Sequence, residues 1–198
     1  MWEQLVQLDR DIFSYFNGLA IGEYTEFWIF ITKIEHWFPV YFFFFFLLYK
    51  STSWRKGFAM IGMVLTTAVF TLWLTNLVKN VVERLRPNNE PILMDSIHIL
   101  QTPENFSFWS GHSAVSFAVT TVVVLLLQHY KPRKWHYLFY IWPIMFAFSR
   151  LFIGVHYPAD LTVGMLVGLL MGYLFYKLTL WLFEVLKNAR KRKSVPNG

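Results

Sequence analysis

The chain has no cysteine among its 198 residues, which excludes disulfides, a thiol nucleophile and cysteine metal sites, and leaves the redox compartment open. Charge is also scarce. Only 15% of residues are charged, against 56% apolar and 20% aromatic, a balance too apolar for a soluble domain of this length. No N-terminal stretch joins a short apolar core to a small-residue cleavage site, so membrane insertion is expected to rest on internal segments. What the chain does have is five charge-free runs, 37–49, 57–78, 105–128, 135–149 and 161–176, each next to a basic cluster. Several reach the roughly 20 apolar residues that a helix needs to cross about 30 Å of hydrocarbon.

The expected fold is all-α: a polytopic membrane helix bundle of five to six transmembrane helices, with residues 1–186 forming one membrane-embedded domain. Crossings are expected at 24–50, 56–79, 110–128, 135–154 and 158–186. Residues 1–20 place Leu5, Leu8, Ile12, Phe13 and Phe16 at helical spacing against Glu3, Asp9 and Asp11, with Asn17-Gly18 as a stop signal. They read as an N-terminal amphipathic helix lying in the outer interface. A sixth crossing at 12–31 is the alternative, and it would have to carry Glu23 and Glu26.

Lys50, Arg55 and Lys56, then Lys131, Arg133 and Lys134, then Lys187 and Arg190 to Lys193 share one face if the runs alternate direction. That face is cytoplasmic by the positive-inside rule. Most acidic residues, among them Glu35, Glu83, Glu90, Asp95, Glu104 and Asp160, fall on the other. The net charge of +6 is then topological bias plus contact with anionic lipid, and no nucleic-acid partner is expected. Residues 187–198 are expected to be a disordered basic cytoplasmic tail. The connection 80–107, with Pro87, Pro91 and Pro103, is expected as a lid or substrate portal. The phenylalanine run 42–46 reads as lipid-facing. Gly164, Gly168 and Gly172, four apart, make a small-residue stripe that admits a close helix; packing inside the chain is the expected use, and a homodimer seam is the alternative.

Three segments carry chemistry. Lys79 and Arg86 are seven residues apart, which returns them to one helix face if the helix persists to Pro87; ordinary pairing of Arg86 with Glu83 or Glu90 is the plainer reading. Ser110 is a helix cap, leaving the N–H groups of Gly111 and His112 free at a helix N-terminus, where anions bind. Arg150 closes one crossing, and His156 lies in a tight connection one turn before Asp160, whose carboxylate can take one ring proton and leave the other nitrogen as a nucleophile. An Arg150–Asp160 ion pair beside a bystander His156 is the alternative. Glu35 and His36 read as interfacial polar residues.

Together these segments resemble the signature of the type 2 phosphatidic acid phosphatase superfamily, also called PAP2 or lipid phosphate phosphatases. That signature is Lys-x6-Arg-Pro, Pro-Ser-Gly-His and Ser-Arg-x5-His-x3-Asp. The chain reads Lys79 to Pro87, Trp109-Ser110-Gly111-His112 and Ser149 to Asp160, and the resemblance spans residues 56–186. Trp109 stands where the family has Pro, which bears on loop geometry and substrate preference. The resemblance implies a phosphatase needing no metal and no cofactor. In it His156 forms a phosphohistidine, Asp160 orients its ring, and His112 protonates the leaving group and then activates water. Lys79, Arg86 and Arg150, with the backbone around Ser110 and Gly111, hold the phosphoryl oxygens.

The implied partner is a lipid phosphate in the bilayer: phosphatidylglycerol phosphate, undecaprenyl diphosphate, phosphatidic acid or a lipid A phosphate. A phosphotransferase passing the group to an alcohol is the alternative. The expected location is the inner (plasma) membrane, with the site on the periplasmic, extracytoplasmic face and the C-terminus in the cytoplasm.

Overall fold

The computed structural model describes residues 1–19, 24–93 and 96–193. Glu23, Asp95 and residues 194–198 lie outside them, as do part of the 12–31 alternative and the end of the basic tail. Among the described residues the chain is helical, with no strand. Its α-helices are α1 (Trp2–Gly18), α2 (Thr25–Thr32), α3 (Phe38–Ser51), α4 (Trp54–Val82), α5 (Gly111–Tyr130), α6 (Ile141–Phe152) and α7 (Pro158–Lys193).

At the centre is α5, buried almost all round, from Ser113 through the valines 122–124 to Leu127. A helix without a polar face belongs inside a bundle. Lipid tails are as apolar as leucine, so apolar burial does not drive these helices together as it would in water; close approach and polar contacts do. Gly164, Gly168 and Gly172 supply that approach. A Cβ at Gly164 would lie 2.7 Å from the Ser110 carbonyl, and one at Gly172 would lie 2.5 Å from the Thr121 Cβ. The stripe is therefore packed against α5 within the chain.

Four boundaries differ from the sequence expectation, and two of them fall at a proline. The expected crossing at 24–50 is broken into α2 and α3, bent by 70° at a 3-10 turn, Ile34–Trp37. Pro39 stands in the first turn of α3 and cannot continue a preceding helix. The segment expected at 135–154 begins as a 3-10 helix, Lys134–Tyr140, before α6. Pro143 would clash with the carbonyl four residues back if an α-helix ran through from 134. The helix carrying Lys79 does not persist to Pro87: it stops at Val82, where Glu83 takes the left-handed conformation (φ 51) and caps it through its N–H to the Lys79 carbonyl. Finally, α7 runs on to Lys193, through the start of the tail expected to be disordered.

Three segments among the described residues are long and apolar enough to cross a membrane, Trp54–Asn89, Gly111–Tyr130 and Pro158–Arg192, or four if α2 and α3 form one bent span. The phenylalanine run divides: Phe42, Phe43 and Phe46 are exposed, but Phe44 is buried in the core with Leu48, Met60 and Trp142. The two ends of the bundle differ in kind. At one, Lys131 Nζ donates to the Lys50 carbonyl at 2.7 Å and Lys56 stands over the Tyr130 ring. At the other, the start of α5, the end of α6 and the start of α7 meet the connection that follows α4.

Candidate active site

At that second end is a cavity of about 720 Å³ lined by Lys79, Arg86, Gly111, His112, Arg150 and His156. The structure thus brings the three motifs to one space. Ser110 and Asp160, both fully buried, stand behind its wall.

The three cations have unusual surroundings. Lys79 Nζ donates to the carbonyls of Phe106 and Ser107. The Arg86 guanidinium donates to the Asn105 carbonyl and Oδ1, each at 2.6 Å, and to the Val155 carbonyl at 2.8 Å. Arg150 Nη1 donates to Thr32 Oγ1 at 2.5 Å and reaches Gln101 Oε1 at 3.4 Å, while its Nε is buried with no partner among the described residues. Each of these side chains is about 4% exposed. Among the described residues none of the three is paired with a carboxylate: Glu90 is engaged by Arg10 and Asp160 by Arg84. Buried charge held only by neutral acceptors is costly. An anion in the cavity would offset it.

His156 sits in the connection between α6 and α7. Its Nδ1 lies 3.3 Å from Asp160 Oδ2 and 3.3 Å from Ser107 Oγ. The Ser107 hydroxyl itself donates to Asp160 Oδ2, which also accepts the Tyr157 N–H at 3.0 Å. A proton on Nδ1 therefore has acceptors. Nε2 is left with its lone pair, 3.1 Å from Arg86 Nη1, on the cavity side. Burial, and after it the cations Arg86, Arg150, Lys79 and Arg84, hold the His156 imidazole well below its ordinary range. Its surroundings favour the neutral ring.

The remaining pieces are set by the start of α5 and the turn before α7. Ser110 caps α5 by accepting the Ser113 N–H at 3.3 Å, and its own N–H donates to the Asp160 carbonyl at 3.0 Å. This ties the two helix starts together and leaves Gly111 and His112 at the cavity. The His112 ring packs against Phe146, with centroids 5.0 Å apart. Gly154 has φ +82, and a Cβ there would lie 2.5 Å from the His98 carbonyl, so only glycine makes this turn. Trp109 donates its indole N–H to Thr75 Oγ1 at 2.8 Å, anchoring the loop before α5 to α4.

Several participants escaped sequence reasoning: Asn105, Ser107, Arg84, Thr32 and Gln101. The connection expected as a lid or portal supplies four of them and forms a wall of the cavity, held by Ser107 N–H to the Arg84 carbonyl (2.8 Å) and Leu100 N–H to the Ile153 carbonyl (3.1 Å). Lys33 and Glu35, from the break between α2 and α3, line the same cavity, so Glu35 borders the site. His36 instead stacks on Phe30, with centroids 4.0 Å apart. Among the described residues no group of three or more His, Asp or Glu is placed to hold a metal ion.

Comparison with known proteins follows the same outline. The family model described as the PAP2 superfamily matches residues 56–184. The chain is 29% identical over 181 residues to the lipid A 4'-phosphatase of Bacteroides thetaiotaomicron, covering 89% of this chain and 79% of that protein. It is also 29% identical over 177 residues to the undecaprenyl-diphosphatase of Sulfolobus acidocaldarius, covering 87% and 79%. In fold it resembles the crystal structure of a transmembrane PAP2 type phosphatidylglycerolphosphate phosphatase from Bacillus subtilis, with a TM-score of 0.62 at 22% identity over 85% of each chain.

Proposed function

The chain belongs to the PAP2 superfamily, and from that premise we propose that it is an integral-membrane phosphatase that removes phosphate from a membrane lipid through a phosphohistidine on His156. The observation that carries this reading is the cavity's charge: three buried cations without carboxylate partners face two imidazoles. That arrangement suits a phosphoryl group, whose charge develops on its equatorial oxygens.

In the first half-reaction the His156 Nε2 lone pair attacks phosphorus and the bond from phosphorus to the leaving oxygen breaks. His112, at the same cavity, gives that oxygen its proton. In the second, His112 takes a proton from water, the water oxygen attacks phosphorus, and the P–N bond breaks to return His156 and release inorganic phosphate. Through both steps the Nδ1 proton stays between His156 and Asp160. Lys79, Arg86, Arg150 and the N–H groups opening α5 hold the phosphoryl oxygens.

The substrate is a lipid phosphomonoester or diphosphate. We place a lipid A phosphate and undecaprenyl diphosphate ahead of phosphatidylglycerol phosphate and phosphatidic acid, because relatives named for the first two match across nearly nine-tenths of this chain. The chain crosses the inner membrane five times, the fifth span being the 3-10 helix and α6 together, roughly 32 Å long at about 2.0 and 1.5 Å per residue. The cavity opens outward, the C-terminus is cytoplasmic, and α1 lies in the outer interface with Trp2, Leu5, Leu8 and Tyr15 exposed to lipid.

The test is phosphate release from those four lipids by purified protein in detergent with chelator present. Release from at least one, abolished by His156→Ala, is the expected result. Turnover near wild type in His156→Ala overturns the mechanism, and release from none of the four overturns the substrate class.

A further inference from the structure

A residue of α1 reaches the back of this site. Asp9 Oδ2 accepts from Arg84 Nη2 at 2.6 Å, and its Oδ1 accepts the Ala159 N–H at 2.8 Å, in the first turn of α7. The same guanidinium donates Nη1 to Asp160 Oδ1 at 2.8 Å and lies over the Tyr157 ring, 4.1 Å from its centroid. Asp160 is thereby divided between two tasks. One oxygen faces Arg84, and the other faces Ser107, the Tyr157 N–H and His156. Neither Asp9 nor Arg84 lines the cavity.

We propose that Asp9 is a positioning residue: it fixes Arg84, Arg84 fixes the rotation of the Asp160 carboxylate, and that carboxylate fixes the His156 ring. The inference rests on the reading of His156 as nucleophile. A carboxylate turns about a broad, two-fold terminal torsion, so contacts to one oxygen leave its plane poorly defined. An anchor on the other oxygen defines it. A guanidinium suits that task because its donors are fixed in a plane and can engage two carboxylates at once. Left to itself the Arg84 side chain would have rotamers to explore; Asp9 on one side and the Tyr157 face below remove them. The rest of α1 supports the docking. Phe13 meets the Tyr157 ring edge-on at 5.5 Å, and Asn17 Oδ1 accepts the His98 N–H at 2.7 Å while its Nδ2 donates to the His98 carbonyl at 2.9 Å. One neighbour provides a control: Arg10 pairs with Glu90 at 3.0 Å and makes no contact with Asp160.

The experiment measures kcat and KM for lipid phosphate release by Asp9→Asn, Arg10→Gln, Asp160→Asn, His156→Ala and the Asp9→Asn/Asp160→Asn double variant, each purified as a monodisperse protein. Asp9→Asn keeps an acceptor for Ala159 and loses the charge facing Arg84. Its kcat is expected to fall about tenfold with KM unchanged, the equivalent of one charge-assisted hydrogen bond. Arg10→Gln should stay within about twofold. In the Asp160→Asn background the Asp9 substitution should have no further effect, because both act through one contact. A kcat for Asp9→Asn within about twofold of wild type, or a full penalty persisting in the double variant, overturns the inference. If Asp9→Asn does not fold, Arg84→Lys, which keeps the charge and loses the fork, carries the same test with the same two outcomes. Full activity in His156→Ala would instead sink the parent reading, so the two failures are distinguishable.

Discussion

Nδ1 of His156 stands 3.3 Å from Oδ2 of Asp160, and the carboxylate it meets is fully buried. A buried acceptor at that nitrogen fixes the tautomer whose lone pair lies on Nε2, which accepts from Arg86 Nη1 at 3.1 Å, and Arg86 lines the cavity. Asp160→Asn keeps the shape and loses the charge. With its amide turned toward the ring it would favour the wrong tautomer. We expect kcat to fall by about a thousandfold with the protein still folded, measured as phosphate release alongside a size-exclusion profile. A loss smaller than about tenfold would mean that the carboxylate does not govern the ring.

The His156 imidazole is disfavoured as a cation by burial first and by Arg86, Arg150, Lys79 and Arg84 second. An unfolded histidine takes a proton as pH falls through its ordinary 6.5, whereas the folded one is held neutral by its surroundings, so the fold loses stability below that pH while the His156 ring stays neutral. Nitrogen NMR of histidine-labelled protein in micelles, with the resonance assigned through His156→Gln, should show at pH 6 a neutral ring protonated on Nδ1. A doubly protonated ring at that pH contradicts the charge balance described for the site.

Three buried cations lacking carboxylate partners among the described residues line the cavity, so on the proposed reading the reaction product should bind there. Inorganic phosphate at about a hundred times its dissociation constant should stabilise the protein by about 2.7 kcal/mol and raise Tm by several degrees. Arg150→Met keeps most of the side chain's volume and removes one cation. It should weaken that shift while leaving the Tm without phosphate equal or higher, because a buried charge is lost with it. A phosphate shift identical in both proteins would remove Arg150 from the anion site.

Motif spacing was enough to name the residues that meet in the cavity, because Lys79, His112, Arg150 and His156 all sit at or beside helix ends on one side of the bundle. It could not show how Arg86 arrives there. The helix ends at Val82 rather than Pro87, and Arg86 swings in along extended chain after the left-handed Glu83. Nothing in the local pattern around Glu83 signals that conformation. Arg84 lay hidden inside the six-residue gap of the first motif, and its partners Asp9 and Asp160 are 75 and 76 positions away. Contacts of that range leave no periodicity to read. The kinks were more legible: Pro39 and Pro143 each mark the place where a run expected to be one helix changes course.

The absence of cysteine makes the topology directly testable, since a single introduced thiol has no background. Glu104 is exposed in the connection that walls the cavity, Lys134 is exposed just before α6, and Arg190 is exposed near the end of α7. A membrane-impermeant maleimide should label Glu104→Cys in intact cells, and Lys134→Cys and Arg190→Cys only after permeabilisation. The middle position decides the most. α6 begins at the Lys134 end of the bundle and delivers Arg150 to the cavity, so a shielded Lys134 together with an open Glu104 obliges both α5 and α6 to cross. Free labelling of Lys134→Cys in intact cells would place both ends of α6 outside and leave that short helix as a re-entrant element rather than a span.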